Sequence, residues 1–436
     1  MKKILFSFSL LLISVITLMS CADGDRIDQK GGMGIPLEPT IVNVKSVPGG
    51  AVIKIAIPDD PNLKGVVATY ERNGVTCESR ISRYLDTLVV EGYADESEHE
   101  VSIRSFNADD AKSEAQIVKI TPLEAPVKTA KFEAFESFGG IKIRITDNPT
   151  LAKLALVVQC DQNNADQDLA YSERKWKDVS TFFTESNSVV VSRRGLEAVP
   201  TVFAFHFRDD FGNVSETQLV KLTPKEEVAL NKKLCKHYPV ADDNFKNDTG
   251  GGGVAALFDG VYNGGGKFFL AAKGNPIPTW LTIDLGQEAS ISRIATKPRW
   301  DYMPFQSGNV REWEFWGSDV DPVEDYKNNP AKEDDADYQS RHGFSRGWFM
   351  IAKGEQYKPS GYAPDGTVDG FTSEDRDYYL NSTEYECDNT NPLTPRAFDK
   401  IRYLRIVVVN TFESWQFKQT SGGWFIGEIS PYGQIY

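Results

Sequence analysis

The sequence has few of the residues that build metal centres and redox sites. Its 436 residues include five cysteines and four histidines, and no two cysteines stand in a CxxC arrangement. Structural zinc sites need close pairs of cysteine or histidine ligands, so the sequence predicts no zinc site. Cys77, Cys160, Cys235 and Cys387 lie far apart in the body of the chain. Cys235 and Cys387 fall in one predicted domain and are the candidate pair for a disulfide, with buried free thiols as the alternative.

A surplus of positive charge is also missing. The formal net charge is −14 at pH 7, and an acidic surface repels the phosphate groups of nucleic acids. Nucleic acid is therefore not an expected partner. The chain is instead rich in aromatic residues, with eight tryptophans and 11% Phe, Trp and Tyr. Sugars dock on aromatic faces, so the positions of these rings matter for function.

Long apolar runs are absent except at the amino terminus. Residues 4–18 form an apolar run that follows Lys2 and Lys3. A bilayer span takes about 20 apolar residues, so a run of 15 is too short to cross a membrane comfortably. A positive start followed by a short apolar run is typical of a signal peptide.

The end of this run contains a processing motif. Residues 18–21 read Leu-Met-Ser-Cys, which resembles the lipobox of bacterial lipoproteins. The resemblance implies that residues 1–20 are a lipoprotein signal peptide and that the Cys21 thiol carries a lipid which anchors the chain to a membrane. An ordinary secretory signal with an incidental cysteine is the alternative.

Residues 21–36 predict a flexible, lipid-anchored tether, because they are polar and glycine-rich and show no apolar periodicity. Asp23 and Asp25 resemble the surface-export signal of Bacteroidota lipoproteins. That resemblance implies an outer-membrane lipoprotein of the cell envelope, exposed at the cell surface. A soluble linker is the alternative explanation for these two aspartates.

An internal repeat organises the next two hundred residues. Residues 49–55 (GGAVIKI) are echoed by residues 139–145 (GGIKIRI), and residues 115–122 (AQIVKITP) by residues 217–224 (TQLVKLTP). The first match is offset by 90 positions and the second by 102. The second copy therefore carries an insertion, which we place at residues 161–184.

Each copy consists of short alternating segments bounded by Gly, Pro and Asp, which is the pattern of a small antiparallel sandwich. Both copies resemble fibronectin type III or immunoglobulin-like modules, and we place them at residues 37–124 and 125–226. The acidic pairs at residues 109–110 and 209–210 lie where turns are expected, so they predict turns and not a catalytic site. His206 lies within a predicted strand, where a packed or solvent-facing ring is expected.

Residues 236–436 carry a series of motifs in a recognisable order. These are residues 257–260 (LFDG), 279–286 (TWLTIDLG), 291–294 (ISRI), 313–319 (WEFWGSD), 402–409 (RYLRIVVV) and 425–433 (FIGEISPYG). The order resembles the discoidin, or coagulation factor type C, domain, whose bacterial members include many family 32 carbohydrate-binding modules. The resemblance implies a β-sandwich jelly roll. The expected fold class is therefore all-β, with two small antiparallel β-sandwiches followed by a discoidin-like β-sandwich jelly roll.

The same resemblance implies a structural calcium ion. Its side-chain ligands would be Asp259 and Glu428, with Tyr262 and Asn263 in the surrounding loop. Calcium takes six to eight oxygen ligands from carboxylates and carbonyls. The sequence departs from the family pattern because residues 264–267 (GGGK) stand where a hydroxyl residue usually follows. A simple turn at Asp259 and a solvated Glu428 are the alternative.

Two loops combine aromatic residues with planar polar residues, which is what sugar recognition needs. They are residues 299–306 (RWDYMPFQ) and 411–417 (TFESWQF). In the discoidin family such loops converge on the binding face. The predicted ligand-binding residues are Arg299, Trp300, Tyr302 and Trp415.

Two long acidic insertions, residues 319–346 and 359–391, are expected to be solvated loops, because nothing around their carboxylates frames a catalytic site. A glycoside hydrolase would need an acid and a second carboxylate about 5–10 Å apart. No segment is long or regular enough for a catalytic barrel. The sequence therefore predicts a binding protein, not an enzyme.

The whole arrangement resembles Bacteroidota surface lipoproteins built from tandem domains of unknown function, often encoded with glycan-utilisation systems. The resemblance implies that the carboxyl-terminal domain binds an extracellular glycan near an outer-membrane transporter and hydrolases. An adhesion or protein–protein interaction lipoprotein of the cell surface is the alternative, because discoidin domains also bind proteins and lipids.

Overall fold

The computed structural model describes residues 34–161, 168–261, 268–299, 304–363, 366–367, 370–381, 383–387, 396 and 399–436. The predicted signal peptide, Cys21 and most of the tether lie outside the described residues. In the described part strands dominate and helices are short, so the expected all-β class is confirmed. None of the helices in those ranges has the length and apolar character that a bilayer span requires.

The first module, module 1, spans residues 40–120 and is an antiparallel sandwich. Its strands are β1 Thr40–Val47, β2 Gly50–Ala56, β3 Gly65–Arg72, β4 Val75–Ser82, β5 Thr87–Glu91, β6 His99–Phe106 and β7 Gln116–Ile120. One sheet has the order β1-β2-β5 and the other the order β4-β3-β6-β7. Alternate residues of both sheets, such as Ile53 and Val66, are buried together between them.

The second module, module 2, spans residues 131–222 and repeats this topology. Its strands are β8 Lys131–Ser137, β9 Gly140–Thr146, β10 Leu154–Asp161, β11 Trp176–Thr184, β12 Val189–Arg194, β13 Thr201–Asp209 and β14 Gln218–Leu222. The sheet orders are β8-β9-β12 and β11-β10-β13-β14. The short helix α1, Pro126–Thr129, precedes β8.

The extra length of module 2 falls in the connection between β10 and β11. Module 1 joins the corresponding strands through the two residues Asn73 and Gly74, both with positive φ. The acidic pair at 209–210 serves a turn, as expected: Asp209 Oδ1 accepts from the backbone N–H groups of Phe211 and Asn213, each at 2.9 Å.

The third module, module 3, spans residues 228–435. Its strands are β15 Val228–Ala229, β16 Lys236–His237, β17 Asp248–Gly251, β18 Phe269–Ala271, β19 Asn275–Pro276, β20 Thr279–Lys297, β21 Val310–Ser318, β22 Phe349–Glu355, β23 Thr383–Glu386, β24 Ile401–Thr411, β25 Ser421–Gly422, β26 Phe425–Ile426 and β27 Glu428–Ile435. The main sheet follows β15-β27-β20-β24-β21-β22, and β16 and β23 also pair with β20. Two small sheets, β17-β18-β26 and β19-β25, complete the sandwich.

The described residues of module 3 also include three α-helices, which are α2 Pro322–Asn328, α3 Ser373–Leu380 and α4 Phe412–Phe417. The inward side chains of β20, β21 and β24 form its core, including Ile283, Trp313 and Ile406. Arg405 and Val407 lie on the opposite face of β24 and are also buried. This strand is therefore covered on both sides, as its apolar sequence predicts.

The cover of the outer face comes from the first acidic insertion, so the prediction that residues 319–346 form a solvated loop is wrong. Helix α2 lies within it, and Phe344 and the following Trp348 are 1% and 2% exposed. Both rings lie against the Arg405 guanidinium, each with its centroid 4.4 Å away. The outer face of β24 carries the buried Arg405 and Val407, and the acidic composition of the insertion gives no sign that Phe344 covers this face.

The candidate disulfide is also wrong. Cys77, Cys160, Cys235 and Cys387 are all free thiols, and Cys387 is buried. Burial raises the pKa of the Cys235 thiol to about 12. The alternative expectation of a buried thiol therefore describes Cys387, while Cys235 is only partly buried.

The segment between modules 2 and 3 is a structured connection. Strand β15 pairs with β27, so the sheet of module 3 begins before Cys235. Lys232–Leu234 then form a 3-10 helix. The two modules also meet through charged side chains, since Arg194 contacts both Glu227 and Glu386.

Candidate functional site

Loops and two helices gather at one end of the main sheet in module 3. Residues 304–309 precede β21, residues 356–363 follow β22, and helix α4 follows β24 directly. Because β21 is antiparallel to both β22 and β24, its start and their ends lie at the same edge. We call the surface formed by these two loops and helices α3 and α4 the loop surface.

The loop surface rests on a buried aromatic cluster. Phe305, Tyr379 and Phe412 are at most 3% exposed and pack together. The Tyr379 hydroxyl lies 2.9 Å from the carbonyl oxygen of Arg299 and 2.7 Å from Oδ1 of Asn309. These bonds join α3 to the ends of β20 and β21. Side chains presented on this support are therefore held on a rigid base.

A buried ion pair holds the loop after β22 to helix α3. Lys358 Nζ lies 3.3 Å from Asp375 Oδ2, and both side chains are at most 3% exposed. Burial alone raises the pKa of Asp375, but hydrogen bonds from Ser360 and Thr372 outweigh it and lower that pKa overall. Asp375 is therefore an ionised anchor of the loop and not an acid poised for proton transfer.

Trp415 is one of two exposed aromatic residues of helix α4, the other being Phe417. A capping box starts the helix, because Thr411 Oγ1 accepts from the N–H of Ser414 and Ser414 Oγ accepts from the N–H of Thr411. The Arg311 guanidinium lies 4.3 Å from the centroid of the Trp415 ring, and the Tyr362 ring lies 5.2 Å away. Trp415 is still 36% exposed, so part of the ring faces solvent while its neighbours fix its orientation.

A groove of about 340 Å³ lies beside Trp415. Its lining consists of Gln306, Ser307, Thr367, Glu413, Gln416 and Phe417. Phe417 is 63% exposed, and the amide and carboxylate groups around it are planar donors and acceptors. An exposed ring with such neighbours suits a ligand that has both C–H faces and hydroxyl groups.

A second groove, of about 520 Å³, lies on the other part of the loop surface. Tyr357, Pro359, Ser373, Glu374, Asp377 and Tyr378 line it. The rings of Tyr357 and Tyr378 lie 4.9 Å apart, and Tyr357 is 57% exposed. The loop surface thus presents aromatic rings in both of its grooves.

Two of the four predicted ligand-binding residues, Arg299 and Trp415, are among the described residues. Trp300 and Tyr302 lie outside the described residues. Trp415 lies on the loop surface. The Arg299 guanidinium packs on the rings of Phe268 and Phe425, at 3.8 and 5.6 Å, and only the Arg299 carbonyl reaches the cluster beneath the loop surface.

Several residues of the loop surface were not among those predicted. Gln416 and Phe417 adjoin Trp415 in the same quoted loop, while Tyr357 and Tyr378 lie in or beside the second insertion. That insertion was expected to be solvated, although it contains helix α3. The signal was its tyrosine and phenylalanine content, which is unusual for a solvated acidic loop.

The predicted calcium ligands make other contacts in the structure. Glu428 accepts from Lys232 Nζ at 2.5 Å through Oε1 and from the N–H of Gly260 at 2.9 Å through Oε2. Asp259 Oδ1 accepts from the N–H of Val261 at 2.8 Å. The described residues contain no group of three or more His, Cys, Asp or Glu side chains able to hold a metal.

The predicted loop residues Tyr262 and Asn263 lie outside the described ranges. Among the described donors, Glu428 Oε1 already accepts from the Lys232 ammonium, so a calcium ion on this oxygen would have to displace that ion pair. Calcium at Asp259 and Glu428 stays a prediction, and it competes with the Lys232 ion pair.

One cluster in module 1 has the composition of a catalytic triad but not its geometry. Asp95 Oδ1 and Ser97 Oγ both contact Nε2 of His99, at 2.8 and 3.2 Å. A triad needs the carboxylate and the hydroxyl on different ring nitrogens, so that one orients the base and the other loses a proton to it. The cluster therefore does not form a nucleophilic site.

Comparison with protein families divides the chain into three matched regions. Residues 36–122 match a domain of unknown function (DUF4959), and residues 121–233 match another (DUF5126). Residues 258–433 match a third, DUF5000, also described as a domain of unknown function. No curated protein matches the sequence.

Solved structures with similarity include a SusE-like protein, which is 25% identical, with a TM-score of 0.41, 71% of this chain and 100% of that chain covered. A family 32 carbohydrate-binding module from a family 31 glycoside hydrolase of Clostridium perfringens is 15% identical, with a TM-score of 0.28, 47% of this chain and 95% of that one covered. The family 32 module of NanJ from C. perfringens, solved with galactose, is 12% identical, with a TM-score of 0.27, 47% of this chain and 98% of that chain covered.

Proposed function

We propose that the protein is a non-catalytic cell-envelope lipoprotein that binds extracellular glycan through the loop surface of module 3. The observation that carries this proposal is the set of exposed rings on a rigid base, above all Trp415 and Phe417 beside Gln416 and Glu413. Aromatic faces take the C–H patches of a sugar, and planar amides and carboxylates take its hydroxyl groups.

The wider role follows from the expected lipid on Cys21. A lipid anchor keeps the chain at a membrane, and modules 1 and 2 would hold the loop surface away from it. The protein would then capture glycan at the cell surface for neighbouring hydrolases and an outer-membrane transporter.

The test is affinity electrophoresis of the lipid-free chain of residues 22–436, which contains every described residue, in gels that contain one polysaccharide each. We expect retardation by a glycan in a panel of plant, host and microbial polysaccharides. Trp415→Ala should lower the affinity about tenfold, since a good aromatic contact contributes about 1.4 kcal/mol. Trp415→Phe should retain part of the affinity, because it keeps an aromatic ring at this position.

Tyr84→Ala is the matched control, because Tyr84 is 88% exposed but lies in module 1. It should bind as the unchanged chain does. Retardation by no polysaccharide, or equal retardation of the Trp415→Ala variant, would contradict glycan binding at the loop surface. Release of reducing sugar by the purified chain would contradict the non-catalytic role.

A further inference from the structure

We propose that module 2 carries a second binding site, for a neutral polysaccharide, on the outer face of its four-stranded sheet. This inference rests on the proposed glycan-binding function and extends it beyond module 3. The feature that points to it is Phe183 on β11, whose side chain is 75% exposed although it belongs to a regular strand. The Phe183 ring also forms one wall of a groove that contains basic and acidic side chains.

The groove beside Phe183 is built by three neighbouring strands. Phe183 pairs with Ala155 on β10, and Ala155 pairs with Arg208 on β13. Successive side chains of a strand point to opposite faces of the sheet. Phe182, Leu156 and Phe207 pack in the core, and each is the chain neighbour of one of these three residues. Phe183, Ala155 and Arg208 therefore point away from the core. Neighbouring strands are about 4.8 Å apart, so the Phe183 and Arg208 backbones are separated by about 10 Å.

The floor of this groove is the methyl group of Ala155. A larger side chain there would fill the space between the Phe183 ring and the Arg208 guanidinium. With alanine the space stays open, and the groove has a volume of about 650 Å³. It exceeds the groove of about 340 Å³ beside Trp415 on the loop surface.

The charges around the groove favour a neutral ligand. Lys153 and Arg208 are basic, while Glu185, Asp209 and Asp210 are acidic. Because these charges nearly balance, the groove offers hydrogen-bonding groups for hydroxyls without an excess of positive charge for a polyanion. An aromatic wall, a small floor and planar polar neighbours together suit a pyranose ring.

The same face extends beyond the groove, which favours a polymer over a single sugar. The next outward row contains Thr181, Val157 and His206. Further along, Gln159 Nε2 donates to Asp178 Oδ1 at 2.8 Å. From Phe183 to the far end of β11 the strand runs about 20 Å.

A second aromatic pair lies at that far end. The rings of Tyr171 and Trp176 stack at 4.9 Å, and the Tyr171 hydroxyl donates to Gln159 Oε1 at 2.9 Å. The long connection between β10 and β11 supplies Tyr171. Module 1 joins the corresponding strands in two residues and has no counterpart of this pair.

The test uses the lipid-free chain of residues 22–436 in the same affinity gels, with neutral xylan, galactan and mixed-linkage glucan and with acidic polygalacturonate. The variants are Phe183→Ala, which removes the wall, Ala155→Val, which fills the floor, and Phe183→Ala combined with Trp415→Ala. Phe183→Ala should lower the affinity for a neutral polysaccharide about tenfold, and Ala155→Val should do the same. The combined variant should lose about the product of the single losses, roughly a hundredfold, because the contributions of two sites occupied by one polymer multiply.

Thermal unfolding of each variant checks that the chain stays folded. Because Phe183 is exposed, its replacement by alanine should not disturb folding. Normal binding by both Phe183→Ala and Ala155→Val would overturn the second site, and weakening by Trp415→Ala alone would leave the loop surface standing. Weakening by the module 2 variants alone would support the second site and contradict the loop surface. Binding of polygalacturonate in preference to the three neutral polymers, or of none of the four, would overturn a site for neutral polysaccharide.

Discussion

Modules 1 and 2 share one topology, but they differ in the exposure of an aromatic side chain on the outer face of the four-stranded sheet. In module 1 Phe106 lies over Gly65, where a Cβ atom would approach the ring to within 2.8 Å. The Arg80 guanidinium covers the ring from 5.1 Å, and Phe106 is only 9% exposed. In module 2 Phe183 stands beside Ala155 and is 75% exposed.

The comparison shows that a repeated fold does not impose a repeated surface. Glycine in the central strand lets the aromatic ring of its own module fill the groove, and an arginine closes it. Alanine in the central strand, with the ring on the edge strand, leaves the groove open. Module 1 is therefore suited to a spacer role and module 2 to binding.

The ion pairs of the two modules differ in the opposite direction, since the buried pair belongs to module 2. In module 1 Arg80 and Glu78 pair at 2.8 Å with side chains 42% and 35% exposed. In module 2 Arg174 and Asp161 pair at 2.7 Å with side chains 4% and 2% exposed. The buried pair holds the long β10–β11 connection against its sheet, and the exposed pair covers the outer face of module 1.

The largest expected effect is that of Asp161→Ala. Removal of one partner of a buried pair leaves an uncompensated charge, and it should lower the free energy of unfolding by about 3–5 kcal/mol. Urea unfolding measured by circular dichroism checks this value. Asp161→Asn is the control and should recover part of the loss; a change below about 1 kcal/mol would contradict the anchoring role of the pair.

Phe106→Ala and Phe183→Ala test the two aromatic residues directly. Truncation of the buried Phe106 should lower the free energy of unfolding by about 3 kcal/mol, because it leaves a cavity over Gly65. Truncation of the exposed Phe183 should change it by less than about 0.5 kcal/mol. Equal losses in urea unfolding would mean that Phe183 has a structural role, which would break the comparison.

A smaller effect is expected for Glu78→Ala in module 1. Arg80 also contacts Asp110 at 3.0 Å, and both side chains are more than a third exposed, so solvent screens the interaction. The free energy of unfolding should fall by about 0.5 kcal/mol or less, and less still in high salt. A loss as large as that of Asp161→Ala would show that the surface network of module 1 is as strong as the buried pair of module 2.

The smallest effect is the pH dependence from His206 on the outer face of module 2. Burial, followed by the charge of Arg208, lowers the pKa of His206 below its ordinary value of 6.5. As the pH falls below about 6.5, the histidine of the unfolded chain binds a proton before His206 of the folded chain does. The folded state therefore loses stability relative to the unfolded state until the pH has passed through the lowered pKa of His206. Unfolding at about pH 7.5 and pH 5 should show a slightly smaller pH dependence in His206→Gln, and an unchanged dependence would contradict the assignment.

Much of the fold follows from local patterns in the sequence. The alternation of Leu281, Ile283 and Leu285 with polar residues predicts a half-buried strand, and all three are fully buried. The repeated GG motifs predict the hairpins that open modules 1 and 2, since Gly49 and Gly139 both adopt positive φ. Such features depend on neighbours in the chain, and so a single sequence carries them.

Features that depend on distant contacts were predicted less well. Residues 319–346 are acidic as a whole, and only the structure places Phe344 on the outer face of the main sheet. Cys235 and Cys387 share a domain, but their pairing depends on a distance between strands that spacing does not encode. Trp415 was predicted as a ligand-binding residue. Tyr357 and Tyr378 lie on the same surface because Ser360 donates hydrogen bonds to Asp375, which hold the loop after β22 against helix α3.

The sequence by itself determined the all-β class, the repeat and the candidate signal peptide of residues 1–20, because each is set by composition and by periodicity along the chain. The tertiary structure decided which aromatic residues are presented and which are enclosed. Phe106 and Phe183 are the same residue type in corresponding sheets, but the first is buried and the second is exposed. Their exposure differs because it depends on the side chains of neighbouring strands. The residue opposite each ring, Gly65 or Ala155, is distant in sequence and adjacent only after the sheet has formed.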